Sequence, residues 1–267
     1  MKKYSAIYYF LFILLITGAF ASIAQNSYGI NIMGGVAFVF GFVFLTELLS
    51  AVLTKEKKNG YTLMETATLV LLSIIFGFRV FYIYFPFFEI LFIISVTFLL
   101  LFYLRKMILI FRDMESKNES MAYLLALYYF SLLLFLISLL FFQLRPKIST
   151  AAGAGAFLLL LGFILAGYLR RNLLVEGDKV SAFSLVKKFK DHSIVILTLF
   201  LLMSLYVGFN KMGAIPDIYS DQFPQVYYRL VHDAASGKEK PINGKYKYEI
   251  FREKYDQFLQ HNKIRKN

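Results

Sequence analysis

Glu47, Arg79 and Glu89 are ionisable side chains that fall in or at the ends of long apolar runs of this chain, and chemistry would start there. An ionisable group in hydrocarbon is costly, so each is a functional candidate by default. Glu47 lies inside the run Gly29–Leu53, two helical turns before Lys55, with Thr46 and Ser50 beside it. Two turns of helix rise about 11 Å, which is deep for a side chain that must reach the membrane surface. Glu47 reads either as an ion- or proton-coupling carboxylate or as an anchor pairing with Lys55, Lys58 or a neighbouring hydroxyl. The nearness of those lysines favours the anchor.

Arg79 and Glu89 flank a short turn containing Pro86, and an ion pair across that hairpin is the cheapest account of both charges. Replacing either one alone is then expected to destabilise the protein more than replacing both. A double-mutant cycle with no coupling would refute the pair. Glu65 carries a local explanation: Thr62-Leu63-Met64-Glu65 has the S/T-x-x-E form of a capping box at a helix start.

Other chemistry is thin. His192 borders an apolar run, and His232 and His261 lie in the C-terminal segment, so no paired haem ligands or zinc-protease helix can be built. Lys211, at the edge of the last run beside Asn210, reads as an interfacial lysine. Cysteine is absent, which removes disulfides, thiolate nucleophiles and Cys-based metal sites. Hydrolase motifs and Gly-rich phosphate loops are missing as well. No cofactor or metal is implied, and no nucleophile or acid–base pair can be named for an enzyme.

The elements that would position these residues follow from hydropathy. The chain has 267 residues, 58% of them hydrophobic and 17% charged. Its mean hydropathy is +0.61. The charges cluster at the ends of stretches long enough to cross a hydrocarbon core, which takes about 20 residues. Backbone polar groups must be satisfied internally there, so the stretches are helices. We read an all-α polytopic membrane bundle of seven spans: 4–24, 29–53, 62–81, 86–104, 121–144, 149–169 and 193–212. The first span could also be a cleaved signal peptide ending at Ser22-Ile23-Ala24, but its length favours an uncleaved anchor.

The net charge of +12 belongs to this topology and not to nucleic-acid binding. With the N-terminus inside, the inner segments hold Lys2, Lys3, Lys55, Lys57, Lys58, Arg105, Lys106, Arg112, Lys117 and the basic cluster from Arg170 to Lys190, whereas the outer loops hold only Arg79, Arg145 and Lys147. The positive-inside rule selects N-in and, after seven crossings, C-out. Helical spans in a bacterium imply the inner membrane. Small residues four apart (Gly18/Ser22, Ala37/Gly41, Ala151/Gly155, Ala152/Ala156) allow close helix approach, and an oligomer is possible.

Residues 1–212 thus form the bundle, and 213–267 an outer helical tail. Phe223, Tyr227 and Leu230 recur at helical spacing before Gly237, and Phe251, Tyr255 and Phe258 do so after Asn243-Gly244. Two such short helices cannot be stable alone, so they pack on the bundle or on a partner. The partners implied are the lipid bilayer and other membrane or envelope proteins. The leading reading is a non-enzymatic subunit or scaffold of an envelope complex. A small-solute or ion transporter using Glu47 and the Arg79/Glu89 pair is the alternative, with an intramembrane enzyme or a receptor third.

Overall fold

The computed structural model describes residues 5–24, 28–53, 60–81, 83, 85, 87–115, 117–142, 145–170, 173–175, 178–188, 191–212, 214–215, 227, 230–231, 233–234 and 237–264. Its elements run α1 (Ser5–Ile23), α2 (Tyr28–Leu53), α3 (Gly60–Val80), α4 (Phe88–Glu115), α5 (Glu119–Phe141) and α6 (Pro146–Leu169). There follow β1 (Leu173–Val175), β2 (Asp178–Val180), α7 (Ala182–Lys188), α8 (Ser193–Lys211) and α9 (Lys247–Ile264). Helices α1 to α6 and α8 are long and apolar enough to cross a bilayer. The chain is a polytopic α-helical membrane protein with seven candidate spans and a short helical segment after them.

The spans are apolar on nearly every side, as expected when lipid replaces water around a helix. Their ends are set by polar chemistry. Asn118 caps α5, its side chain accepting from the Met121 N–H at 2.9 Å. Pro146 opens α6 in its first turn, where no N–H is required, so Arg145-Pro146-Lys147 is a helix entry.

The chain divides into two compact units. The first comprises Met1–Tyr8, Phe40–Ile75 and Phe87–Leu202; the second comprises Tyr9–Val39, Phe76–Pro86 and Met203–Asn267. In the first unit α5 is the central helix, packed along both α4 and α6. Its seam with α6 is polar where the small residues sit. Ser131 donates to the Ala156 carbonyl at 2.8 Å, and Ser138 and Ser149 each donate to the other's carbonyl at 2.8 Å. Such bonds lock one helix's register on its neighbour without exposing a polar group to lipid. The connection from α6 to α8 holds an antiparallel hairpin, Leu173 opposite Val180, which the hydropathy pattern did not foretell.

In the second unit α1 and α2 meet backbone to backbone. A Cβ on Gly29 would stand 2.3 Å from the Ser22 nitrogen and 2.6 Å from the Gly18 carbonyl oxygen, so the Gly18/Ser22 pair does create a close approach. Further on, Gly237 at φ +71 ends a helical turn, with Lys238 N–H donating to the Asp233 carbonyl and Gly237 N–H to that of Ala234. That is a Schellman ending, and it needs the left-handed conformation glycine tolerates. Glu249 then reaches back to accept from Tyr246 N–H at 2.8 Å, closing the first turn of α9.

Candidate functional site

Antiparallel spans place the beginnings of α1, α3, α5 and α8 at the same end of the first unit as the ends of α2 and α4. From those six helices comes one buried polar cluster. Its centre is His192, the residue before α8, 3% exposed. The imidazole Nε2–H donates to Glu47 Oε2 of α2 at 2.7 Å, and Nδ1 lies 3.6 Å from Glu65 Oε1 of α3. The backbone N–H of His192 donates to the same Glu65 oxygen at 2.9 Å. Phe44 meets the imidazole edge to face, ring centroids 5.2 Å apart.

Hydroxyls complete the carboxylates. Tyr8 of α1 donates to Glu47 Oε1 at 2.8 Å, and Tyr103 of α4 to Glu65 Oε1 at 2.5 Å. A second network adjoins this one through the chain itself. Asp191 accepts from Lys106 of α4, from the Tyr129 hydroxyl of α5 at 2.7 Å, and from the Ser193 hydroxyl at 2.6 Å; Tyr128 then donates to Ser193 Oγ at 2.9 Å. Residues 191–193 thus gather contacts from α2, α3, α4 and α5. The same Asp191 oxygen that takes the Ser193 hydroxyl lies 3.3 Å from the Ser193 N–H, covering an otherwise unpaired donor at the start of α8.

The electrostatics of the centre are uneven. Lys106 answers Asp191, and His192 is the cation shared by Glu47 and Glu65 among the described residues. Burial alone would lower the His192 pKa, but its hydrogen bonds and charge interactions with the two glutamates outweigh that and raise it to about 9, so the imidazolium form is held through neutral pH. Two buried atoms have no hydrogen-bond partner here, Glu65 Oε2 and His192 Nδ1. No group of three or more metal-ligating side chains in metal geometry occurs among the described residues. Two concavities of about 470 and 710 Å³ lie along α4, α5 and α6; their linings are mainly apolar and include none of the cluster's residues.

Glu47, singled out by hydropathy, therefore sits in a site, but with unforeseen neighbours. Its two oxygens are taken by Tyr8 and His192; Lys55 and Lys58 lie outside the described residues. The capping-box reading of Glu65 is corrected: α3 begins at Gly60, past the first turn from Glu65, and the carboxylate reaches Tyr103 and His192 instead. His192 was undervalued because a lone histidine at a span edge has no local pattern. The one available signal was that Asp191-His192-Ser193 puts two ionisable groups directly before a span.

Arg79 closes α3 in the second unit and Glu89 opens α4 in the first, so the pairing expected of them stays a proposal for the double-mutant cycle. Within the second unit, burial raises the Asp256 carboxyl above its usual range, against the opposing pull of Arg252 and Arg79. Of the aromatic tail residues, Tyr227 is buried and packs on Phe251 with centroids 6.2 Å apart, and Phe251 stacks on Tyr255. Leu230 is half-buried, Phe223 lies outside the described residues, and so does the Phe258 side chain.

Fold and site together define a class: a multi-pass helical membrane protein with a buried carboxylate–imidazole–carboxylate centre. No protein-family model, curated protein or solved structure matches the chain.

Proposed function

We propose that the protein is a proton-coupled membrane transport protein in which Glu47, His192 and Glu65 form the proton-binding element. The observation that carries this reading is the pair of buried glutamates on different spans sharing one imidazole. As long as His192 is charged, it draws α2 and α3 onto the start of α8. Lose that proton and two carboxylates face each other in a low dielectric across an uncharged ring. Proton binding is thereby coupled to helix packing, which is what a proton-driven conformational cycle requires. A purely structural polar lock would need neither a titratable bridge nor an unpaired carboxylate oxygen.

The subunit reading suggested by the sequence is supported less well. The tail aromatics that would dock a partner spend apolar surface on one another, Tyr227 on Phe251 and Phe251 on Tyr255. The distribution of lysine and arginine supports an N-in, C-out arrangement in a bacterial cytoplasmic membrane, which puts the centre near the inner face.

The absence of native cysteine makes the test direct. Ser95 is buried on α4, on the face that carries Leu99 and Tyr103, and Ser95→Cys is close to isosteric. In vesicles, its reaction with a soluble maleimide, divided at each pH by that of the same protein unfolded in SDS so that the thiolate fraction cancels, is expected to change several-fold as pH is raised past about 9, where His192 loses its proton. In a Glu47→Gln background this ratio should become flat while the protein still accumulates. A ratio indifferent to pH in the parent, or equally pH-dependent in Glu47→Gln, would sink the reading.

A further inference from the structure

We infer that Glu65, and not Glu47, is the carboxylate that takes up and releases the transported proton. The inference rests on the proton-coupled reading above and names the group within it. The two glutamates touch the same imidazole but are held differently. Glu47 has both oxygens occupied, one by the Tyr8 hydroxyl at 2.8 Å and one by His192 Nε2 at 2.7 Å. Glu65 has its whole load on Oε1, which accepts from Tyr103 at 2.5 Å and from the His192 backbone at 2.9 Å. Its Oε2 faces no donor, and the residue is 0% exposed.

That asymmetry decides where a proton goes. A buried acceptor without a donor costs free energy, and more so when it carries charge. A proton on Glu65 Oε2 removes the charge and leaves both bonds to Oε1 intact, so no neighbour has to move. A proton on either oxygen of Glu47 must compete with a donor already there and would displace Tyr8 or His192.

The surrounding charges point the same way. From α1 comes Tyr8, from α2 Glu47, from α4 Tyr103 and Lys106, and from α5 Tyr128 and Tyr129. Asp191 and His192 complete the set before α8. Lys106 is matched by Asp191, which leaves one imidazolium against two carboxylates among the described residues. The proton comes from water, forms an O–H bond at Oε2, and returns to water on release; no other bond is made or broken.

Infrared difference spectra between low and high pH, taken on the full chain reconstituted in lipid, test this. The wild type should show the carbonyl stretch of a buried protonated carboxyl at low pH, shifted in heavy water. Glu65→Gln should abolish the band, and Glu47→Gln should keep it. Should Glu65→Gln fail to accumulate, Glu65→Asp substitutes for it and should move the band's frequency. A band lost in Glu47→Gln but kept in Glu65→Gln, or unmoved in Glu65→Asp, overturns the assignment and leaves the proton-coupled reading standing. No carboxyl band in the wild type at any pH overturns both.

Discussion

Asp191→Ala is expected to lower stability more than any other single replacement in the polar cluster, by about 3–5 kcal/mol, the range for breaking a buried ion pair by removing one partner. The carboxylate is 1% exposed and accepts from Lys106, Tyr129 and Ser193 together. Alanine leaves three donors without that acceptor, and it also uncovers the Ser193 N–H at the start of α8. Asp191→Asn keeps an oxygen for the hydroxyls and loses only the charge, so it should cost less. Pairing it with Lys106→Met should recover part of the loss, since a neutral pair is cheaper than a lone buried charge. Unfolding by SDS in mixed micelles, followed by circular dichroism, measures all of these. An Asp191→Ala protein as stable as the parent would mean the network contributes nothing to the fold.

Stability should also fall as pH is raised across the titration of His192. The folded-state pKa of about 9 lies above the ordinary 6.5. For a group whose pKa is raised on folding, the extra stability is fully present below the unfolded value and is lost as pH climbs through the folded one. The window is therefore pH 6.5 to about 9. A difference of that size corresponds to roughly 3 kcal/mol at 1.36 kcal/mol for each pH unit. His192→Gln removes the titrating cation, leaving a less stable protein whose unfolding midpoint is nearly flat across the window. Equal slopes in the two proteins would show that the imidazolium is not the group responsible.

Some of this was legible in the chain and some was not, and particular residues show where the line falls. Glu47 stood out because an acid two turns inside an apolar run is costly wherever the run packs. Gly18 and Ser22 stood out because small residues four apart on a span permit close approach, and Gly29 on the neighbouring helix does come within backbone contact. Glu65 was misread, since Thr62 and Glu65 satisfy a local rule for helix starts that lapses once the helix begins at Gly60. The hairpin of β1 and β2 was missed because two strands of three residues carry too short a pattern to register against long apolar runs.

By itself the sequence determined that the chain spans a membrane as helices, and where those helices lie. Apolar length is a local and additive quantity, and a bilayer without hydrogen-bonding partners leaves the backbone no other choice. Tertiary structure alone decided the site. Glu65 and His192 are separated by 127 positions, and Glu47 and His192 by 145. Helices apolar on all sides do not encode which face turns inward, so hydropathy cannot say which polar groups will meet. Only the packing of six helix ends at one end of the bundle put two carboxylates on one imidazole and left a single oxygen bare.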